Sequence, residues 1–243
     1  FGNIFLTGHT DRDLDGNLNE GGNDLYLIKY NSSGSREWTR QIGSNLHDYG
    51  RSLVTDSSGN IYVAGHTYGG LDNKSNSGGS DIFTIKYNSS GIKQGVYQSG
   101  SSYNDYLTSI AIDQNGYLHG TGFSYGNIDN QTNLGSTDVF TGKRKWDSFE
   151  TLWSRHFGTK STDRSKKIGL DSLNNVYVTG ITEGDFDGKK HLGKEDIFLI
   201  KYDSSGLKKW TRQIGSSASD NVEDLYVDSN GNVYITGGSK GSL

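Results

Sequence analysis

The residues of this chain whose types and spacing best suit a chemical role are the acids of one loop, Asp11-Arg12-Asp13-Leu14-Asp15-Gly16. Carboxylates at alternate positions followed by glycine are typical of calcium loops, because alternate side chains turn inward and glycine allows the sharp bend. The twelfth position of the pattern is Gly22 rather than glutamate, which excludes an EF-hand. The first interpretation is therefore a shorter calcium loop with Asp11, Asp13 and Asp15 as ligands, completed by backbone carbonyls or Asp24.

A less complete version of this pattern is Glu183-Gly184-Asp185-Phe186-Asp187-Gly188, in which the candidate metal ligands are Asp185 and Asp187. The corresponding loops elsewhere keep only Asp72 and Asp129. The alternative interpretation is that one aspartate per loop closes a turn by accepting backbone N–H groups, while the additional acids are solvated. Calcium is the one cofactor that the sequence suggests, and both interpretations stay open at this point.

Aromatic side chains form the second candidate set. We expect a ligand to be bound by His47, Tyr49, Tyr68, Tyr103 and Tyr125, which are interleaved with Asp, Asn and Gly. Such a mixture suits polyhydroxylated ligands, so glycans are the preferred partner. Three tryptophans at equivalent positions, Trp38, Trp153 and Trp210, either stack on sugars or pack between repeats, and the second interpretation is favoured.

Familiar catalytic motifs are absent from the sequence. There is no Gly-x-Ser-x-Gly elbow and no phosphate-binding P-loop. His9 and His66 are equivalent, but Phe123 and Ile181 replace them later, and no His-x-His or His-x-x-x-His pair predicts a zinc site. We therefore expect a protein without catalytic residues.

Composition excludes several further classes. The 243 residues include 35 Gly but no Cys, Pro or Met, so a disulfide scaffold is excluded. A net charge of −4 offers no electrostatic footprint for nucleic acid, and no apolar run is long enough to insert into a membrane. The chain opens within a strand-like run, without an initiator or a signal peptide, so we expect a fragment or a processed chain.

An internal repeat organises the chain. A segment such as Gly59-Asn60-Ile61-Tyr62-Val63-Ala64-Gly65 recurs near residues 2, 59, 116, 174 and 231, with spacings of 57, 57, 58 and 57 residues. Each unit holds runs of alternating apolar and polar residues bounded by Asn, Asp, Ser and Gly clusters, which is typical of short strands joined by tight turns. Four antiparallel strands in a unit of this length make a propeller blade.

Several segments resemble the bacterial SBBP β-propeller repeat. They are Asp15-Gly16-Asn17, Gly21-Gly22, Asp196-Ile197-Phe198-Leu199-Ile200-Lys201-Tyr202, the Ser-Ser-Gly turns and Trp38-Thr39-Arg40-Gln41-Ile42-Gly43. The resemblance implies an all-β propeller of four-stranded blades of about 57 residues, with four to five blades in this chain. It implies a secreted or surface protein of bacterial type. We expect one domain over residues 1–243, either a closed ring, a piece of a larger propeller or a self-associating array.

Naming the strands of a unit A to D, the A–B and C–D turns are short, whereas the B–C loops are long and variable. Residues 10–23 and 67–80 are two of these loops, and long loops on a rigid scaffold commonly carry function. We expect a non-catalytic module that binds carbohydrate through several weak sites on this face. The alternatives are a polysaccharide hydrolase or lyase, with a cluster of Asp11, Asp13, Asp185 and Asp187 in a deep pocket, and a structural spacer without a ligand.

Overall fold

The computed structural model describes residues 2–129 and 131–242, which form two compact units, one up to Leu107 and one from Thr108 onward. The strands of the first unit are β1 (Ile4–Thr10), β2 (Asp24–Tyr30), β3 (Arg36–Ile42), β4 (Asp48–Thr55), β5 (Ile61–Thr67), β6 (Asp81–Tyr87) and β7 (Lys93–Ser99), and the boundary falls within β8 (Asp105–Ile112). The second unit continues with β9 (Leu118–Ser124), β10 (Asp138–Arg144), β11 (Thr151–Phe157), β12 (Asp163–Leu170), β13 (Val176–Thr182), β14 (Asp196–Tyr202), β15 (Lys208–Ile214), β16 (Asp220–Val227) and β17 (Val233–Ser239).

Every sheet pairs strands that are consecutive in sequence. The sheets of the first unit are β1-β2-β3 and β4-β5-β6-β7; the second unit has β8-β9-β10-β11, β12-β13-β14-β15 and the pair β16-β17. All ladders between these strands are antiparallel, as in β5–β6 and β13–β14. The predicted all-β fold of four-stranded blades is therefore confirmed, with β4 to β7 corresponding to strands A to D. The single domain over residues 1–243 stays a prediction.

Only short helical turns interrupt the strands in the described part of the chain. These turns are Leu71–Asn73 and Phe186–Gly188, and both lie in long B–C loops. No helix among the described residues has the length and apolar character needed to cross a membrane.

The short turns form as the sequence predicts. In the A–B turn between β4 and β5, Asp56 Oδ1 accepts the backbone N–H groups of Ser58 and Asn60 at 3.0 and 2.9 Å. Gly59 has φ +79° there, a left-handed conformation that glycine adopts without strain. The fourth repeat has Asn174 at this position with φ +60°, and asparagine is among the few other residues that tolerate it.

Each unit has its own apolar core. In the first unit, Leu27, Val63, Phe83 and Ile85 are fully buried. In the second, Val178, Phe198 and Ile200 pack with Trp153 and Tyr202. Successive side chains of a strand point to opposite faces of its sheet, so every second side chain packs against a neighbouring sheet. These cores hold the loop ends of the strands in fixed positions.

Candidate functional site

A cluster of histidine and tyrosine rings lies at one end of the strands of the first unit. Tyr49 of β4 pairs directly with His66 of β5, and their rings stack with centroids 4.9 Å apart. His9 of β1 meets the edge of Tyr49 at 4.7 Å, and Tyr106 of β8 meets His66 at 4.6 Å. Histidine and tyrosine thus alternate across adjacent sheets. We call His9, His47, Tyr49, His66, Tyr68 and Tyr106 the His–Tyr cluster.

Loop residues extend the cluster towards solvent. His47 is exposed, and its ring lies 6.0 Å from Tyr49 and 6.4 Å from Tyr68. The backbone N–H of Asn23 donates to His47 Nδ1 at 3.0 Å, which fixes the ring and leaves Nε2 as its outer polar atom. The hydroxyls of Tyr68 and Tyr106 hydrogen-bond to each other at 3.1 Å. The rim of the cluster therefore carries polar atoms that could bind hydroxyl groups.

The histidines of the inner cluster are held neutral. Burial, followed by the charge of Arg51, lowers the pKa of His66 to about 3, and the same two causes lower the pKa of His9. Burial and the hydrogen bond with Tyr106 raise the pKa of Tyr68 to about 12, so its hydroxyl stays protonated. His66 is 3% exposed, and its Nδ1 has no hydrogen-bond partner among the described residues. At neutral pH, His9, His66 and Tyr68 are therefore uncharged, and the charged group beside them is Arg51, whose guanidinium lies 5.1 Å from the centre of the Tyr49 ring.

The structure brings together three of the five predicted ligand-binding residues, His47, Tyr49 and Tyr68. Tyr103 lies in the same unit with 61% of its surface exposed, whereas Tyr125 belongs to the second unit.

The cluster is completed by His9 and His66, which the sequence analysis set aside, and by Tyr106, which was not among the five predicted ligand-binding residues. His9 and His66 were dismissed because later repeats have Phe123 and Ile181 there. The pairing of strands A and B could have indicated one of these contacts. The second residue of strand A, here Tyr49, lies opposite the next-to-last residue of strand B, here His66.

The acids of the first candidate calcium loop are held separately. Asp15 accepts a hydrogen bond from the Thr39 hydroxyl and forms an ion pair with Arg36 at 2.7 Å. Asp13 Oδ1 accepts the backbone N–H of Asn19 at 2.8 Å, and Asp11 is exposed beside Arg12. An ion bound by Asp15 would have to displace Arg36.

The second candidate loop repeats this arrangement. Asp187 accepts hydrogen bonds from Lys208 and Thr211, each at 2.7 Å, and the bond from Lys208 is the main cause of its lowered pKa. Asp185 accepts the backbone N–H of His191 at 2.8 Å. In the third repeat, the uncharged Asn127 makes the same contact with the backbone N–H of Asn133 at 2.9 Å. The contact made by Asp13 and Asp185 therefore needs no negative charge.

Within residues 2–129 and 131–242, no three His, Asp or Glu side chains are grouped as metal ligands. The carboxylate oxygens of Asp15 and Asp187 already accept from Arg36, Lys208 and threonine hydroxyl groups, which does not favour a cation at either aspartate. Calcium binding stays a prediction.

A family model for the SBBP β-propeller repeat matches three segments of the chain, residues 37–72, 152–187 and 209–243. Three segments of the chain thus match the SBBP repeat. The segments begin one residue before Trp38, Trp153 and Trp210, and each of the first two runs through a D strand and the following blade's A strand, B strand and loop.

Two curated proteins are similar to the chain. "Regulatory protein FlaEY" of Caulobacter vibrioides is 25% identical over 268 residues, covering 95% of this chain and 27% of that protein. "Uncharacterized WD repeat-containing protein L264" of Acanthamoeba polyphaga mimivirus is 30% identical over 108 residues, covering 35% of this chain and 8% of that protein. The chain thus spans about a quarter or less of the length of these relatives.

Among solved structures, the chain is similar to the rhamnogalacturonan lyase YesW. The superposition covers 97% of this chain and 53% of the lyase chain, with 12% sequence identity and a TM-score of 0.44.

Trp38 and Trp153 pack between blades. A Cβ on Gly91 would lie 2.9 Å from the Trp38 ring, and one on Gly206 would lie 2.6 Å from the Trp153 ring. Both glycines occupy the C–D turn of the next blade with positive φ, +72° and +80°. These two indole faces are covered by backbone, which leaves no room there for a stacked sugar.

Proposed function

We propose that this chain is a non-catalytic module that binds a neutral carbohydrate through the His–Tyr cluster of its first unit. The observation that carries the proposal is the exposed His47 ring beside half-buried Tyr49 and Tyr68, over an inner layer of neutral histidines. Aromatic faces suit the apolar face of a pyranose, and the rim's ring nitrogens and phenols suit its hydroxyls.

The number of sites follows from the sequence of the later repeats. Phe123 and Ile181 stand at the positions of His9 and His66, and Arg164 and Asn221 stand at the positions of Tyr49 and Tyr106. The proposed stoichiometry is therefore one ligand per chain, rather than one for every repeat. Avidity would then come from self-association, which we propose as a second property, to be measured by light scattering over a range of protein concentrations.

A polysaccharide-cleaving enzyme has less support. Asp11, Asp13 and Asp185 are exposed, and Asp187 is bonded to Lys208 and Thr211 through both oxygens. A general acid needs a carboxyl group that holds its proton near neutral pH, whereas the pKa of Asp187 is lowered. A spacer without any ligand remains the rival that the binding experiment addresses.

The test is a glycan array probed with the whole chain, with and without EDTA. We expect binding of neutral glycans that His47→Ala reduces by tenfold or more, since hot-spot aromatic rings contribute on the order of 2 kcal/mol. The matched control is His191→Ala in the second unit, which should leave binding unchanged. Absence of glycan binding, or equal binding by His47→Ala, contradicts the proposal and favours the spacer.

We also propose an extracellular or cell-surface location. Its support is the resemblance to the SBBP repeat alone, and protease treatment of intact cells, followed by detection of the chain, would test it. Resistance to protease until the cells are lysed contradicts this location.

A further inference from the structure

The second unit contains a cavity of about 260 Å³ between β11 and the β14–β15 hairpin. Its walls combine cationic and aromatic side chains, and those used below are Arg155, Phe157, Phe186, Tyr202 and Lys208. The volume is slightly below the range of about 300–1,000 Å³ typical of sites for drug-sized molecules, so it suits a single small ring.

Tyr202 is the buried tyrosine that lines this cavity. The residue is only 2% exposed, and none of the hydrogen bonds found among the described residues involves its hydroxyl. Burial raises the pKa of Tyr202, so the group is a protonated donor at neutral pH. A protonated phenol can donate a hydrogen bond to a bound acceptor such as a carboxylate.

The charges around the cavity leave one cation uncompensated. Lys208 is paired with Asp187, whose other oxygen accepts from Thr211. The Arg155 guanidinium donates only to neutral carbonyls, from Nε to Gly206 at 2.9 Å and from Nη1 to Ser154 at 2.7 Å. These bonds fix the position of the guanidinium without neutralising it. The cavity therefore favours a monoanion.

The equivalent place in the first unit, the junction between β3 and the β6–β7 hairpin, has the same arginine and tyrosine but different apolar residues. Arg40 donates from Nε to Gly91 at 2.8 Å, and Tyr87 is 3% exposed. The aromatic residues Phe157 and Phe186 are replaced there by Ile42 and Leu71. A packing requirement shared by these two positions explains the arginine and the tyrosine, but it does not explain Phe157 and Phe186, which only the second of them has.

We propose that this cavity binds a monosaccharide-sized ring that carries one carboxylate. The carboxylate accepts from Tyr202 and Arg155, and the ring lies against Phe157 and Phe186. This inference does not depend on the proposed function, because its residues all lie in the second unit and its ligand is charged.

The experiment titrates the whole chain with glucuronate, benzoate and glucose in separate calorimetric runs. We expect glucuronate or benzoate to bind, and the stronger of the two identifies a sugar acid or an aromatic acid as the source of the carboxylate. Glucose should bind at least tenfold more weakly. Equal binding of glucose, or no binding of either acid, overturns the proposal.

The decisive variant is Tyr202→Phe, which removes only the hydroxyl oxygen and should leave the melting temperature unchanged. We expect it to weaken acid binding about tenfold or more, the effect of one hydrogen bond to a charged group. Tyr87→Phe, at the equivalent junction, is the matched control and should bind like the unaltered chain. Equal affinities for both variants contradict the assigned site. His47→Ala should not change acid binding, which separates this result from the proposed neutral-glycan site.

Discussion

Replacing Lys143 by methionine should strongly destabilise the second unit, because it removes the partner of a buried carboxylate. Asp113 follows β8, and its side chain is fully buried. Its Oδ2 lies 2.8 Å from Lys143 Nζ and 3.1 Å from His119 Nε2, while its Oδ1 accepts the backbone N–H of Tyr117 at 3.0 Å. Burial opposes ionisation of Asp113, but the hydrogen bonds from Lys143 and His119 outweigh it and hold the pKa of Asp113 below its usual range.

The size of the effect follows from this burial. Lys143 is itself 9% exposed, and its ammonium also lies 4.6 Å from the centre of the Tyr117 ring. Removing one member of a buried ion pair costs about 3–5 kcal/mol, because the other charge is left uncompensated. In a chain of this size, each kcal/mol lowers the melting temperature by about 2–4 °C. The expected loss is therefore on the order of 10 °C.

The assay is thermal unfolding of Lys143→Met beside the matched control Lys29→Met. Lys29 occupies the same position of the first repeat, but its partner Glu37, at 2.8 Å, is 38% exposed. A solvent-accessible pair contributes only about 0–1 kcal/mol, so the control should melt within a few degrees of the unaltered chain. Adding Asp113→Asn to Lys143→Met should recover part of the loss. Equal melting temperatures for the two lysine variants would refute the reasoning.

The pH dependence has a definite sign. The folded state depresses the pKa of Asp113, so its contribution to stability is present above the unfolded value and is lost as pH falls through the folded value. Burial also lowers the pKa of His119, so protonating it opposes folding in the same direction. The free energy of unfolding contributed by Asp113 and His119 should therefore decline on acidification. The decline should be smaller in the double variant Lys143→Met/Asp113→Asn.

Three further predictions concern other contacts. Gly206→Ala should cost at least 1 kcal/mol more than Gly34→Ala in urea unfolding, since both have positive φ, +80° and +78°, but only at Gly206 would the Cβ meet a ring, Trp153 at 2.6 Å; equal costs contradict the packing of Trp153. Burial, and then Asp163, raise the pKa of Asp138 from 3.8 to about 6, so its contribution favours folding at low pH and is lost as pH rises through that interval. Asp138→Asn should flatten the stability profile there, and an unchanged profile would assign the slope to other groups. If Asp11, Asp13 and Asp15 hold calcium, EDTA should lower the melting temperature and Asp15→Asn should abolish that difference, whereas an unchanged melting temperature contradicts the calcium prediction.

Residue type was enough to predict three members of the His–Tyr cluster, but it was not enough to predict the full set of residues that meet there. His47, Tyr49 and Tyr68 were predicted because they are aromatic loop residues, and they do lie together. His9 and Tyr106 come from neighbouring repeats, and their contacts depend on how adjacent sheets pack. Asp15 and Asp187 fit a calcium pattern in sequence, yet their partners Arg36 and Lys208 lie at the start of strand D, 21 residues further on in both loops.

The sequence by itself determined the strands, the turns and the order of the blades, because period-2 patterning and turn residues act over a few neighbouring positions and recur every 57 or 58 residues. Only the tertiary structure decided which side chains from different repeats meet. Tyr49 stacks on His66 within one sheet and touches His9 from another, while Arg155 and Tyr202, from two different sheets, line one cavity. Such contacts depend on the packing of whole sheets, and a local pattern carries no information about the distance between two repeats.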